Sequence, residues 1–142
     1  MGAIAIPIGK LILDGLIAGT VIVGGIILLS LVAKEIADFI ARELSDAIER
    51  ARECRNCDCP DCVPPKGSIQ YRIDWVPPST PHYPCPGSHV HFNIRIQNPT
   101  TCECFWNKQK MVLCLPEGAG PEDFDPSDLG DDVYPMPRRP GR

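Results

Sequence analysis

Residues 88–97 read Ser-His-Val-His-Phe-Asn-Ile-Arg-Ile-Gln. Alternation puts Val90, Phe92, Ile94 and Ile96 on one face and His89, His91, Asn93 and Arg95 on the other, the period-two pattern of a half-buried strand. Upstream, Ser68–Val76 (SIQYRIDWV) alternates in the same way, with Ile69, Tyr71, Ile73 and Trp75 sharing a face. Downstream, Asn98-Pro-Thr-Thr101 is a turn signal. Extended stretches at Cys102–Trp106 and Gln109–Leu115 follow, separated by a short Asn-Lys turn. The strap from Val76 to Gly87 carries five prolines in twelve residues and is expected to be extended and stiff. The pattern predicts a three- or four-stranded antiparallel sheet. A sheet of that size cannot stand on core burial alone, so bridges or a metal are expected to hold it.

All eight cysteines fall in and beside this region, between Cys54 and Cys114. Four of them, Cys54, Cys57, Cys59 and Cys62, crowd into nine residues as two C-x-x-C pairs fused through C-x-C. Thiolates three apart can reach one tetrahedral ion, so these four form a candidate zinc site. The same density suits disulfides shared with Cys85, Cys102, Cys104 and Cys114, and the count is even, as a disulfide framework requires. The redox compartment decides between the two. A c-type haem is excluded because no C-x-x-C-H occurs.

His89 and His91, two apart on a strand, project to the same side and could hold one metal or act on one substrate. His82 and Asn93 are candidates to join them. A metal-dependent hydrolase or nuclease can be written from such parts. Against it, the polar face of a half-buried strand is ordinarily just solvated. The chain also holds no nucleophile elbow, P-loop or HExxH motif.

The N-terminal third is a different material. Gly15 to Ala33 (GLIAGTVIVGGIILLSLVA) is a nineteen-residue run without a charge. As a helix it would be roughly 28 Å long, close to the hydrocarbon thickness of a bilayer. It is too long and lacks the basic start of a signal peptide, and Ile6 stands where myristoylation expects Ser or Thr. Gly15 and Gly19 form a small-x-x-x-small pair of the kind that lets membrane helices approach, and Lys10 and Asp14 suit the headgroup level. From Lys34 to Cys54 the character changes without a helix breaker. Ile36, Ile40, Leu44, Ala47, Ile48 and Ala51 make a helical stripe, and Asp38–Arg42 and Asp46–Arg50 make supporting i,i+4 pairs. The stripe needs a partner: a sister helix, the membrane surface or the C-terminal module. Lys and Arg counts near the span favour the C-terminal part on the cytoplasmic side, whereas abundant cysteines argue the reverse.

The whole chain has 142 residues and a net charge of −4, with 44% hydrophobic and 23% charged residues. The charge is uneven. Residues 1–33 sum to 0, 34–54 to −2, 55–116 to +2 and 117–142 to −4. The chain as a whole is not basic, so nucleic acid is not an expected partner. The tail, with seven acids before Arg138, is expected to be disordered in isolation and suited to docking on a basic surface.

The block His82-Tyr-Pro-Cys-Pro-Gly-Ser-His-Val-His91, followed by Gln97-Asn-Pro-Thr-Thr-Cys-Glu-Cys-Phe105, resembles small uncharacterised bacterial Cys/His-rich proteins of secretion-effector (polymorphic toxin) or phage-derived loci. The resemblance covers roughly residues 54–114 and implies a membrane-acting effector or an assembly component. The expectation is therefore an α+β chain in three parts. Residues 1–54 form a transmembrane-length helix continuing into an amphipathic one. Residues 55–116 form a small Cys-stapled antiparallel β domain, and 117–142 an acidic, Pro-rich tail. The expected function is a non-enzymatic, membrane-anchored or membrane-inserting effector, pore or structural component that self-associates through residues 15–54. The alternatives are a metal-dependent hydrolase or nuclease toxin using His89 and His91, and a soluble homomeric virion or filament component.

Overall fold

Part of the apolar run is extended rather than helical. The run contains Val21-Ile-Val23 and Ile26-Ile-Leu28, two triplets with five β-branched residues in six on either side of Gly-Gly, which is hairpin composition rather than helix composition. In the computed structural model, which describes residues 21–23, 26–76 and 85–137, these triplets form strands β1 (Val21–Val23) and β2 (Ile26–Leu28). They pair antiparallel, with Val23 opposite Ile26. The expected transmembrane-length helix is thereby corrected: among the described residues no helix is long and apolar enough to cross a membrane. Lys10, Asp14 and the Gly15–Gly19 pair lie outside the described residues.

The one long helix among the described residues, α1, runs instead over the amphipathic segment. Leu31–Phe39 and Ser45–Arg52 are α-helical and are joined by a π-helical turn, Ile40–Leu44. The sequence explains that turn. Ile36, Ile40, Leu44 and Ile48 repeat every four residues, and in a regular helix four residues advance about 400°, so the stripe would drift about 40° at each step. A wider turn, bonded i to i+5, takes the drift back and keeps all four on one face. All four are buried, together with Val32, Ala33 and Phe39.

What they are buried against is the chain's own sheet. Strands β3 (Ile69–Asp74), β4 (His89–Gln97), β5 (Cys104–Lys108), β6 (Leu113–Cys114) and β7 (Val133–Pro135) form one sheet in the order β5-β4-β3-β7, with β6 pairing the start of β4. Ile69, Tyr71, Val90, Phe92, Ile94, Leu113 and Leu115 meet the helix in a single core. The rings of Phe39 and Phe92 stack there at 5.1 Å. The expectation of an antiparallel module is corrected in one respect: β7 runs parallel to β3, so the sheet is mixed.

That seventh strand comes from the acidic tail, which folds onto its own chain. Leu129 is buried, and Phe124 packs edge-on against Tyr71 at 5.9 Å. The acids find helix ends. An Asp128 carboxylate oxygen accepts from the Ser30 backbone N–H at 2.8 Å, just ahead of α1. Asp132 lies 3.7 Å from Arg52 in the last turn. Negative charge at the start of a helix, and a cation at its end, both favour the helix dipole.

Every cysteine is paired. Cys59–Cys102, Cys62–Cys104 and Cys85–Cys114 join segments 43, 42 and 29 residues apart, and Cys54–Cys57 closes a separation of 3. The candidate zinc set Cys54, Cys57, Cys59 and Cys62 is thus spent on disulfides. Four disulfides fit an oxidising environment. The cytoplasmic placement taken from Lys and Arg counts rested on a membrane-spanning helix, and none is found among the described residues.

Candidate functional site

Strand register builds the site. In the β3–β4 pair Asp74 stands opposite His89, and Arg72 opposite His91. Opposed residues in a ladder project to the same side, and so do residues two apart on one strand. Asp74, Arg72, His89 and His91 therefore share the face turned away from α1, as the alternation of 88–97 requires. Further along, Asn93 donates from Nδ2 to Gln70 Oε1 at 2.8 Å and continues the polar row, so it does not join the histidines.

The two imidazoles converge on one carboxylate oxygen. Asp74 Oδ2 lies 3.1 Å from His89 Nε2 and 3.1 Å from His91 Nε2. The histidine rings meet edge to face with centroids 4.8 Å apart. Their burial is graded. The His89 side chain is 3% exposed, His91 23% and Asp74 36%. His89 is deepest because it sits between two neighbours in the ladder, Asp74 on β3 and Cys114 on β6. The Cys85–Cys114 bridge ties the chain down beside it. Ser88 closes this end of the strand, its hydroxyl accepting from Val76 N–H at 3.1 Å and its carbonyl from Leu115 N–H at 2.9 Å.

Arg72 supports the carboxylate from behind. Its Nε donates to Asp74 Oδ1 at 3.0 Å and Nη2 to Oδ2 at 3.3 Å. Partial burial pushes the Asp74 carboxyl up, but the Arg72 hydrogen bond and charge, aided by both histidines, outweigh it and hold the group below its ordinary range. His91 is pushed down, first by burial and then by the Arg72 charge, against the opposing pull of Asp74. At neutral pH the site thus offers an ionised carboxylate and a neutral imidazole at position 91, the forms in which both residues bind metals.

The donor set is chemically coherent. Asp74, His89 and His91 present three ligand atoms within 4.8 Å of one another. Two ligands each about 2.0–2.1 Å from a tetrahedral ion stand roughly 3.3 Å apart, and both Asp–His edges are already 3.1 Å. Two imidazoles and a carboxylate suit zinc and neighbouring divalent ions better than calcium or magnesium.

Of the residues singled out by sequence, His89 and His91 come together, His82 lies outside the described residues, and the eight cysteines form disulfides. Asp74 and Arg72 are the additions. The alternation of 68–76 already placed both on the polar face, but nothing in the sequence told which residue of β3 faces which of β4. Searches against protein-family models, curated proteins and solved structures found no match to this chain, so its functional reading rests on the geometry of Asp74, His89 and His91.

Proposed function

We propose that this protein is a disulfide-stapled domain of an oxidising compartment that binds one divalent transition metal through Asp74, His89 and His91 and presents it to an anionic ligand. The observation that carries the reading is the convergence of both imidazole Nε2 atoms on Asp74 Oδ2, at 3.1 Å each. Three protein ligands leave a fourth position for water or substrate, the pattern of catalytic rather than structural zinc. The graded exposure suits that division: His89 anchors from inside, while His91 and Asp74 border solvent. The local charge suits an anion, because Arg72 cancels Asp74 and leaves the ion's double positive charge uncompensated. A metal so placed would lower the pKa of a bound water and polarise an ester or phosphoryl oxygen, which is the hydrolytic reading of His89 and His91 with the missing carboxylate supplied.

The test is titration of the oxidised full-length protein with Co2+ and Zn2+, followed by calorimetry and by the visible spectrum of cobalt. One ion per chain is expected, with the intense absorption of a four-coordinate cobalt site. His91→Ala and Asp74→Asn should each weaken binding at least tenfold without altering the far-UV spectrum. Wild-type stoichiometry and affinity in both variants would overturn the assignment.

A further inference from the structure

Three of the four disulfides tie distant segments together; Cys54–Cys57 does not. It closes a separation of 3, so it removes little freedom from the unfolded chain. Both of its cysteines are exposed, whereas each of the other bridges has a buried or half-buried member. Nor does the loop depend on it for its shape. Asn56 Nδ2 donates to the Pro99 carbonyl at 2.8 Å, and Asn56 Oδ1 accepts from the Asp58 N–H at 3.1 Å. Cys59 N–H bonds the Asn56 carbonyl at 3.2 Å, and Cys59 itself is held by Cys102. The bridge can therefore open while the loop stays where it is.

Beside it lies a groove of about 290 Å³ whose wall includes Glu53, Arg55 and Asn56, the residues flanking Cys54 and Cys57. Arg50 and Lys66 line it too, so three cations face one carboxylate. Neighbouring cations favour the thiolate over the thiol, which makes each cysteine a better leaving group.

We infer that Cys54–Cys57 is a thiol–disulfide exchange site that accepts electrons from a dithiol borne on an acidic peptide segment seated in the Arg50–Arg55–Lys66 groove. One substrate thiolate attacks a sulfur of the bridge. The Cys54–Cys57 bond breaks, its electron pair leaves on the other cysteine as thiolate, and a mixed disulfide forms. The substrate's second thiolate then attacks its own sulfur in that mixed disulfide, closing the substrate disulfide and releasing the second cysteine. The substrate has lost two electrons and two protons, which Cys54 and Cys57 have gained. A small-molecule disulfide such as oxidised glutathione reoxidises the pair by the same two steps.

The experiment combines two readouts on the oxidised full-length protein. Equilibration in graded glutathione buffers, with acid quench, alkylation and peptide mass mapping, should find Cys54 and Cys57 reduced while the other six cysteines remain bridged. Exchange rates are then measured with a synthetic dithiol peptide flanked by Glu and with its Lys-flanked counterpart. The Glu-flanked peptide should react at least tenfold faster. That preference should disappear in Arg50→Glu/Arg55→Glu, and exchange should be lost in Cys54→Ala/Cys57→Ala with the thermal midpoint unchanged. Reduction of Cys54–Cys57 no earlier than the other bridges would overturn the proposal, as would equal rates for the two peptides or wild-type exchange in the double alanine variant.

Discussion

Cys59–Cys102 and Cys62–Cys104 join the same two segments, and their energetic effects should therefore be strongly non-additive. In the chain-entropy account, closing a separation of 43 or 42 residues removes about 4 kcal/mol of unfolded-state freedom. Either bridge alone achieves nearly all of it. With one in place, the path between the cysteines of the other runs three residues along one segment, across the bridge and two residues along the other. A closed path of roughly five residues is worth only about 2 kcal/mol. Cys59→Ala/Cys102→Ala and Cys62→Ala/Cys104→Ala should thus cost about 2 kcal/mol each, and the four-alanine chain about 6 kcal/mol, a coupling of about 2 kcal/mol. Cys62 is buried, so its removal also leaves a small cavity, but that local cost enters both arms of the cycle and cancels. The assay is urea unfolding of the four proteins, all with the same trimethylamine N-oxide concentration to keep the weakest folded. Intact mass verifies the remaining bridges. Losses of about 4 kcal/mol in each pair variant, adding without coupling, would refute the nested arrangement.

Two further perturbations address the core and the site. Phe92→Ala removes a fully buried ring stacked on Phe39 and should cost about 3–5 kcal/mol by thermal or urea unfolding; a loss below about 1 kcal/mol would mean that α1 does not pack on β4. Because His91 is held below its ordinary value of 6.5, the unfolded chain takes up that proton first, so stability falls as pH drops through 6.5 towards the lower folded value. Asp74, also held low, contributes fully above its ordinary value of 3.8 and loses that contribution as pH falls from there through its depressed folded value. Comparing urea midpoints at pH 7.5 and 5.0 in metal-free buffer should therefore show a smaller loss in His91→Gln than in wild type. Equal losses would remove His91 from the account.

The β-rich half of the fold was legible because strand alternation is a local property. Val90, Phe92 and Ile94 are buried and His91 and Arg95 are not, as the two-residue period demands. The helix was legible only where polar residues marked its faces. Its stripe from Ile36 to Ile48 found the chain's own sheet, the last of the three partners open to it, and a four-residue spacing this regular carried the signature of the π-helical turn. The uncharged run ahead of it misled because hydropathy windows weigh transfer free energy and ignore conformation. By that measure Val-Ile-Val-Gly-Gly-Ile-Ile-Leu scores as a membrane helix, yet β-branching and paired glycine both favour a hairpin. The tail misled for the opposite reason. Its charge argued for disorder, but Phe124, Leu129 and Val133 supply the apolar contacts and Asp128 and Asp132 supply helix-end charges, so the acids are part of what docks it.

The site depends on a quantity that no local pattern contains. Whether Asp74 meets His89 or lies two residues away is set by strand register, and here β3 and β4 are joined by a Pro-rich strap rather than a tight turn that would dictate it. Register is instead set from outside the pair. On the helix side, Ile69, Tyr71, Val90, Phe92 and Ile94 must all face α1, which fixes the parity of the pairing. Parity alone still permits shifts by two residues, each of which would carry Asp74 past His89 to a different partner. The Cys85–Cys114 bridge bears on this choice, because it fastens the end of the strap to β6 and β6 pairs with His89 and Val90. β7 bears on it from the other edge, pairing Ile69 with Val133. The disulfide and the acidic tail, both remote from the histidines in function, are therefore what aligns a carboxylate with them. If the proposed site binds cobalt, Cys85→Ala/Cys114→Ala should bind it more weakly than wild type in the same titration, although neither cysteine belongs to the Asp74, His89 and His91 group.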